Sequence, residues 1–311
     1  MKKSAPKGII TVLNTPFTPD NAIDVDGLVR NVENAIAARV AGFLVPAMAS
    51  EVDKLTQEER ERMVRTVLDV SKGRVPVIGG ASAGTHAERV QWTRRLTALG
   101  CDGVLVSVPF DEEAAYKREV REIAACEPPM LMLQDWDARG YGAPVPLLAS
   151  LFEEIECFRS LKIEVVPAGV KYSEMLQATR GQLHVAGGWA VMQMLEALDR
   201  GVDAFMPTAM HRIYTKLYQL YHSGKRTDAR ALFEQVLPVL AFSNQHLDIS
   251  IHFFKRLLHE QGVFSTARVR QPILPFDAVH ERIAAELIEY VMRLEAELQH
   301  PEANEKNAAT D

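Results

Sequence analysis

Short apolar runs alternate along the chain with segments that have helical spacing. The runs are rich in Val, Ile, Leu and Met, and they cover residues 9–13, 42–48, 76–81, 103–109, 129–135, 158–164, 183–187 and 204–209. Two of the helical segments begin with capping-box sequences, one from Thr56 to Glu59 and one from Thr85 to Glu88. Continuous apolar runs are typical of strands that are buried on both faces of a parallel sheet. The pattern therefore predicts alternating strands and helices, with the helices outside a parallel sheet.

The number of strand–helix units favours a closed barrel over an open sheet. Open doubly wound sheets usually have fewer strands and a glycine-rich first turn, whereas this chain contains neither G-x-G-x-x-G nor G-x-x-x-x-G-K-[ST]. Gly79, Gly80 and Gly84 come nearest to such a motif, and we interpret them as a loop after the third strand. We predict an α/β fold, a (β/α)8 TIM barrel that comprises residues 1–224.

The strand pattern stops after Gly224, and three helical patterns follow at 227–242, 246–261 and 277–298. These patterns predict a C-terminal helical extension of three helices over residues 225–299. Residues 300–311 contain almost no apolar side chains, so we predict a disordered tail there.

The amino-acid composition argues against several classes of protein. The 311 residues include 35 Lys and Arg against 41 Asp and Glu, a net charge of −6 that argues against a nucleic-acid surface. No apolar stretch approaches the roughly 18 residues that a membrane span requires, so we expect no membrane partner. Cys101, Cys126 and Cys157 form no CxxC pair, and the N-terminus lacks the pattern of a signal peptide. We therefore expect a cytoplasmic protein without a zinc site or disulfides.

The sixth strand carries two ionisable residues within an apolar element. Strand periodicity places Lys162 and Glu164 on one face and Ile163 on the other, so both charged groups point into the barrel if Ile163 meets the helices. Burial disfavours the charged form of a lysine, and the neutral amine is a nucleophile toward carbonyl carbons. We therefore hypothesise Schiff-base chemistry at Lys162; the alternative is a strand-end lysine that reaches solvent.

Other polar residues follow the neighbouring strands. Gln134 shares its face with Met130 and Met132, which predicts an inward position beside Lys162, although a lone glutamine is also common as a satisfied polar group. The pair Asp135 and Asp137 offers only two oxygen ligands, so we expect loop capping and no metal.

The segment after the second strand is a candidate anion site. It contains Ser50 and Glu51 at a point where a helix or turn begins. Backbone N–H groups at such a terminus bind carboxylates, so this segment is a candidate site for a substrate carboxylate.

Several short motifs occur in an order that resembles the dihydrodipicolinate synthase and N-acetylneuraminate lyase superfamily over nearly the whole chain. Any one of them is weak, but their order makes the resemblance specific. They are Thr15-Pro16-Phe17 with Ile23-Asp24, Ser50-Glu51 with Leu55-Thr56 and Glu59-Arg60, Gly79-Gly80 with Thr85, Pro109, Lys162-Ile163-Glu164, Gly187, Gly201 and Leu237-Pro238-Val239-Leu240.

The chain departs from the synthase pattern at the residues that relay protons. The synthase sequence GTTGE appears here as residues 47–51, AMASE, so both threonines are absent. Gln134 stands where the synthase has a tyrosine, and Phe110 stands where another tyrosine is donated to a neighbouring subunit. Arg139 keeps the place of the family's arginine. These differences argue against a role in lysine biosynthesis. The residues at these positions resemble those of the 2-keto-3-deoxyarabonate dehydratase branch of the family.

The resemblance implies a Schiff-base (class I) lyase that acts on a 2-keto acid and dehydrates a 2-keto-3-deoxy sugar acid, without a metal or organic cofactor. Lys162 would form the imine and Glu164 would transfer the C3 proton, with help from Gln134. The residues expected to bind substrate are Ser50, Ala49, Glu51, Arg139 and Gly187.

Other functions stay open. One alternative is a 2-keto-acid aldolase or a divergent 4-hydroxy-tetrahydrodipicolinate synthase, and another is a non-catalytic barrel that binds a keto acid. The family also implies a homo-oligomer, a dimer or a tetramer.

Overall fold

The computed structural model describes residues 5–299, and these form a closed barrel of eight parallel strands in sequence order. The strands are β1 Gly8–Val12, β2 Gly42–Val45, β3 Val77–Gly80, β4 Gly103–Ser107, β5 Leu131–Trp136, β6 Phe158–Glu164, β7 His184–Gly187 and β8 Ala204–Phe205. The helices of the barrel are α1 Val25–Ala37, α2 Gln57–Ser71, α3 His86–Leu99, α4 Glu113–Ala124, α5 Val145–Glu154, α6 Ala168–Ala178, α7 Met194–Asp199 and α8 His211–His222. The predicted (β/α)8 barrel is confirmed.

The last strand is shorter than its apolar run. The pattern predicted a strand through residue 209, but β8 ends at Phe205. Pro207 has no N–H to donate to a strand ladder, although its carbonyl accepts a bond of 2.8 Å from Val12 N. Met206 N also donates to Gly187 O over 2.9 Å, so residues 206 and 207 keep single backbone bonds to β7 and β1 beyond the end of the strand.

Apolar side chains fill both sides of the sheet. The larger cluster lies between the strands and the outer helices. The smaller cluster fills the barrel interior and consists of Ile10, Val12, Leu44, Ile78, Leu105, Met130, Met132, Ala186, Ala204 and Met206. A charged group inside this barrel is thus surrounded by apolar residues and requires a polar partner.

Three further helices follow the barrel, where the sequence predicted the extension: α9 Arg226–Ser243, α10 Leu247–Glu260 and α11 Ala278–Gln299. The predicted tail at 300–311 lies outside the described residues. Within 5–299, no helix is both long and apolar enough to cross a membrane.

A buried ion pair attaches the extension to the barrel. Lys255 of α10 lies with its Nζ 2.5 Å from Glu51 Oε1, and both side chains are fully buried. Burial lowers the pKa of Lys255 to about 8, while the Glu51 carboxylate opposes that shift. The Phe17 ring lies 4.2 Å from Lys255 Nζ and 4.2 Å from Arg270 Cζ. These contacts hold α10 against the turn that follows β2.

Candidate active site

Three polar side chains meet inside the barrel at the carboxyl ends of β5 and β6. Lys162 is only 6% exposed, and its Nζ lies 3.1 Å from Glu164 Oε2. The strand register places Gln134 beside Lys162, and Gln134 Nε2 donates a hydrogen bond to the same Glu164 oxygen. A buried amine, a carboxylate and an amide are therefore in contact at the end of the barrel where (β/α)8 enzymes have their active sites.

Side chains alternate in direction along β5 and β6. This alternation places Lys162, Glu164 and Gln134 on the inner face of the barrel and a second buried ion pair on its outer face. Asp135 points away from the interior and pairs with Lys171 of α6. Lys171 Nζ also donates to the carbonyl of Ala143 over 2.6 Å, and Asp135 Oδ1 accepts from Ala143 N over 2.9 Å. Burial raises the pKa of Asp135, and Lys171 opposes that shift. Asp135 thus holds the loop after β5 to α6.

Within residues 5–299, no group of three or more His, Cys, Asp or Glu side chains is arranged so that it could hold a metal ion.

A cavity of about 90 Å³ opens above Lys162. Its lining residues come from the strand ends, the following loops and the extension: Val12, Ala47, Met48, Ala49, Trp136, Lys162, Glu164, Gly188, Val191, Met206, Pro207, Thr208, Tyr214, Asn244, Leu247, Ser250 and Phe254.

Gly188 is a site residue that the sequence analysis missed. A Cβ atom at this position would overlap the Glu164 carboxylate and Lys162 Cε. The predicted residue, Gly187, lies one position earlier in β7, where it is aligned with Ile163 and does not line the cavity. The pair Gly187-Gly188 at a strand end was the available signal, but only the structure shows which glycine approaches the lysine.

Gly188→Ala should therefore disturb the candidate catalytic pair, Lys162 and Glu164, directly. The added methyl has no room beside Glu164, and a displacement of about 1 Å in a catalytic group costs on the order of 10²-fold in rate. We expect that loss in kcat/KM with little change in the melting temperature. Gly84→Ala is the matched control, because its Cβ would lie 3.8 Å from the nearest atom, Glu88 Oε2. Unchanged kinetics in Gly188→Ala would show that the lysine and glutamate tolerate a shift.

The predicted carboxylate site after β2 is only partly exposed to the cavity. Ala49 lines the cavity, and its carbonyl accepts a bond of 2.9 Å from Asn14 Nδ2. The Ser50 hydroxyl, in contrast, donates to Leu13 O over 2.5 Å and accepts from Ala47 N over 3.0 Å. Backbone groups therefore occupy this hydroxyl, and Ser50 is not among the residues that line the cavity.

Glu51 and Arg139 also lie away from the cavity. The Glu51 carboxylate is directed to Lys255 and accepts a bond of 2.8 Å from Arg270 N. Arg139 is exposed, and its backbone N–H donates to Asp137 Oδ1 over 2.9 Å. Direct contact of either residue with a substrate stays a prediction; in the structure the Glu51 carboxylate pairs with Lys255 of the extension and the Arg139 side chain lies at the surface.

The extension supplies cavity residues that no motif indicated. Asn244 follows α9, and α10 contributes Leu247, Ser250 and Phe254. Their spacing along α10 is ordinary helical periodicity, which does not distinguish a face over a cavity from a face over the core.

Comparison with known proteins agrees with this architecture. The family model of the dihydrodipicolinate synthetase family matches residues 5–290. The L-2-keto-3-deoxyarabonate dehydratase of Azospirillum brasilense is 28% identical over 306 residues, covering 93% of this chain and 94% of the relative. A 4-hydroxy-tetrahydrodipicolinate synthase of Xanthomonas axonopodis pv. citri is 27% identical over 298 residues, covering 93% and 96%.

Solved structures share the fold. The 4-hydroxy-tetrahydrodipicolinate synthase of Methylacidiphilum fumariolicum SolV superposes with a TM-score of 0.83 at 21% identity, covering 95% of this chain and 99% of that structure. The family match extends across the barrel and into the last helix of the extension. The chain belongs to the dihydrodipicolinate synthetase family.

Proposed function

We propose that this protein is a Schiff-base-forming lyase that dehydrates a 2-keto-3-deoxy sugar acid. The observation that carries the proposal is the buried Lys162 amine, 3.1 Å from the Glu164 carboxylate and open to the cavity. Imine chemistry requires an amine that reaches a carbonyl carbon and a base next to the resulting imine. The Azospirillum relative, named as a dehydratase of such an acid, supports this choice of substrate.

The first half of the reaction uses Lys162. Its neutral amine attacks C2 of the keto acid, and the carbonyl oxygen takes one proton from the amine and one from the Glu164 carboxyl and leaves as water, so that a protonated C2–N double bond forms and Glu164 is left as a carboxylate. The protonated imine withdraws electrons from C3, so a C3 proton becomes acidic. Glu164 takes this proton, and the C–H electron pair becomes the C2–C3 double bond of an enamine.

The second half expels the C4 hydroxyl. The enamine electrons form a C3–C4 double bond, the C4–O bond breaks, and Glu164 returns its proton to the departing oxygen as water. Hydrolysis of the imine then restores the amine. A positioned acid–base group of this kind contributes typically about 10² to 10⁴ in rate.

Gln134 has a positioning role in this scheme. Its amide donates to Glu164 Oε2 but does not exchange protons as a carboxylate does, so it fixes the orientation of the base. The turn that contains Ala49 is the part of the predicted carboxylate site that faces the cavity, and we assign the substrate carboxylate to it. The scheme needs no metal and no organic cofactor.

Aldol cleavage is the main alternative, because it starts from the same imine and relatives are named as 4-hydroxy-tetrahydrodipicolinate synthases. Products separate the two reactions when L-2-keto-3-deoxyarabonate is followed by NMR. We expect one product that keeps every carbon and has lost one water. Release of pyruvate, or strong activity with pyruvate plus aspartate semialdehyde, would identify an aldolase or synthase instead. No product from any keto acid would favour the non-catalytic barrel.

Assembly and location are further parts of the proposal. We propose a homo-oligomer, a dimer or a tetramer, and a cytoplasmic location. Both rest on the family and on the sequence.

A further inference from the structure

The segment after β1 holds the turn that follows β2 through three consecutive residues. The Leu13 carbonyl accepts a bond of 2.5 Å from the Ser50 hydroxyl. Asn14 Nδ2 donates to the Ala49 carbonyl over 2.9 Å, and Thr15 Oγ1 donates to the Ser50 carbonyl over 2.5 Å. Ala49 lines the cavity, and Ser50 does not. Of these three residues, Asn14 is therefore the one that bonds directly to a residue of the cavity wall.

Asn14 also reaches a second wall of the cavity. Its Oδ1 accepts a hydrogen bond from Thr208 Oγ1, and Thr208 lines the cavity from the segment after β8. The Ala49 carbonyl only accepts hydrogen bonds, so the amide nitrogen of Asn14 must face it, and the amide oxygen is left for the Thr208 hydroxyl. One side chain thus ties the turn after β2 to the segment after β8.

The Asn14 side chain acts from behind the cavity. It is fully buried and is not among the residues that line the cavity. A buried amide is costly unless its donor and its acceptor are satisfied, and here Ala49 satisfies one end and Thr208 the other. An apolar side chain would avoid that cost, but it would leave the two walls unconnected.

We propose that Asn14 is a positioning residue that holds the Ala49 turn at the distance from Lys162 that a keto-acid carboxylate requires. This inference rests on the proposed function, in which C2 of the substrate becomes bonded to Lys162 and the carboxylate meets the turn. Because the carboxylate is attached directly to C2, it cannot follow a turn that moves away. A displaced turn therefore loses the carboxylate and leaves the Lys162 amine unchanged.

The test compares two carbonyl compounds that differ only in the group that Asn14 helps to place. Pyruvate carries the carboxylate, and acetone has a methyl group instead. Each is incubated with the protein and cyanoborohydride, and labelling of the Lys162 peptide is followed by mass spectrometry at several concentrations. The rate constant for acetone reports the reactivity of the amine, and the ratio of the two rate constants reports the carboxylate contact.

Asn14→Leu removes both hydrogen bonds and keeps a branched side chain of similar shape. We expect the pyruvate rate constant to fall by about 10-fold to 100-fold, because a displacement of about 1 Å costs on the order of 10²-fold. The acetone rate constant should stay within about twofold. A role confined to stability would lower the melting temperature and leave the ratio of the two rate constants unchanged.

Thr208 gives a second approach to the same connection. Thr208→Val removes the hydroxyl and should lower the pyruvate rate constant by about threefold to tenfold, as for one lost hydrogen bond. Thr208→Ser keeps a hydroxyl and should restore the wild-type ratio. Thr93→Val is the matched control, because Thr93 is fully buried in α3, donates to Arg89 O over 2.8 Å and does not line the cavity. The Thr208 variants decide the question if Asn14→Leu does not fold.

The outcomes separate the inference from the proposed function. Equal losses for pyruvate and acetone, a folded Asn14→Leu or Thr208→Val without a selective loss, or a wild type that does not prefer pyruvate would overturn the role of Asn14. Each of these results would leave the Schiff-base reaction standing. A wild type whose Lys162 peptide is labelled with no keto acid would overturn the proposed function and this inference together.

Discussion

Lys162→Ala should reduce turnover of the sugar acid by at least about 10⁴-fold, the scale seen when a covalent nucleophile is removed. The variant has no amine in the cavity, so no imine forms and the C3 proton keeps its ordinary acidity. The measurement is kcat/KM by product NMR, together with a thermal melt that shows the variant is folded.

The matched control for this variant is Lys216→Ala, which removes an exposed lysine of α8. It should retain wild-type turnover. If Lys162→Ala keeps more than a few per cent of the activity, another group carries the chemistry and the proposed nucleophile is wrong.

Glu164→Gln should uncouple imine formation from the steps that follow. The amide keeps the size and hydrogen-bonding capacity of the carboxylate, but it does not accept a proton at neutral pH. We therefore expect borohydride trapping with pyruvate to persist while turnover falls by about 10² to 10⁴. Exchange of the C3 protons with deuterated solvent should fall with turnover.

Glu286→Gln, in an exposed part of α11, controls for the charge change. Exchange at the wild-type rate in Glu164→Gln would place the base elsewhere and would leave Glu164 as a group that only orients Lys162.

Much of the barrel was predictable because its signals are local. Apolar runs mark the strands, and the capping boxes at Thr56 and Thr85 begin α2 and α3 as predicted. The end of β8 was not predictable from hydrophobicity alone. The apolar run extends to residue 209, but β8 ends at Phe205, and single backbone bonds such as Val12 N to Pro207 O continue beyond it.

The residues of the candidate site also divide into those that local sequence predicts and those that depend on contacts remote in the chain. Strand periodicity indicated that Lys162, Glu164 and Gln134 share a face, because each side-chain direction follows from position along one strand. The surroundings of Ser50 and Glu51 depend on Leu13 and Lys255, which are remote in the chain. Asn244 joins the cavity only because the extension folds over the barrel, and no local pattern encodes that contact.

Burial alone does not identify a nucleophilic lysine in this protein. Lys162, Lys171 and Lys255 are all buried, and each contacts a carboxylate. Lys171 and Lys255 tie loops and helices together, where their amines are enclosed by protein atoms. Lys162 differs because it lines the cavity, so a carbonyl compound is able to reach it. Access to the cavity, in addition to burial, is the reason that we propose Lys162 as the residue that forms the imine.

This assignment is tested most directly by reducing the wild-type protein with borohydride in the presence of pyruvate and mapping the modified peptide by mass spectrometry. Only an imine is fixed to the protein in this way. The account predicts a single added group on the peptide that contains Lys162. A label on the peptides of Lys171 or Lys255, or no label with any 2-keto acid, would contradict it.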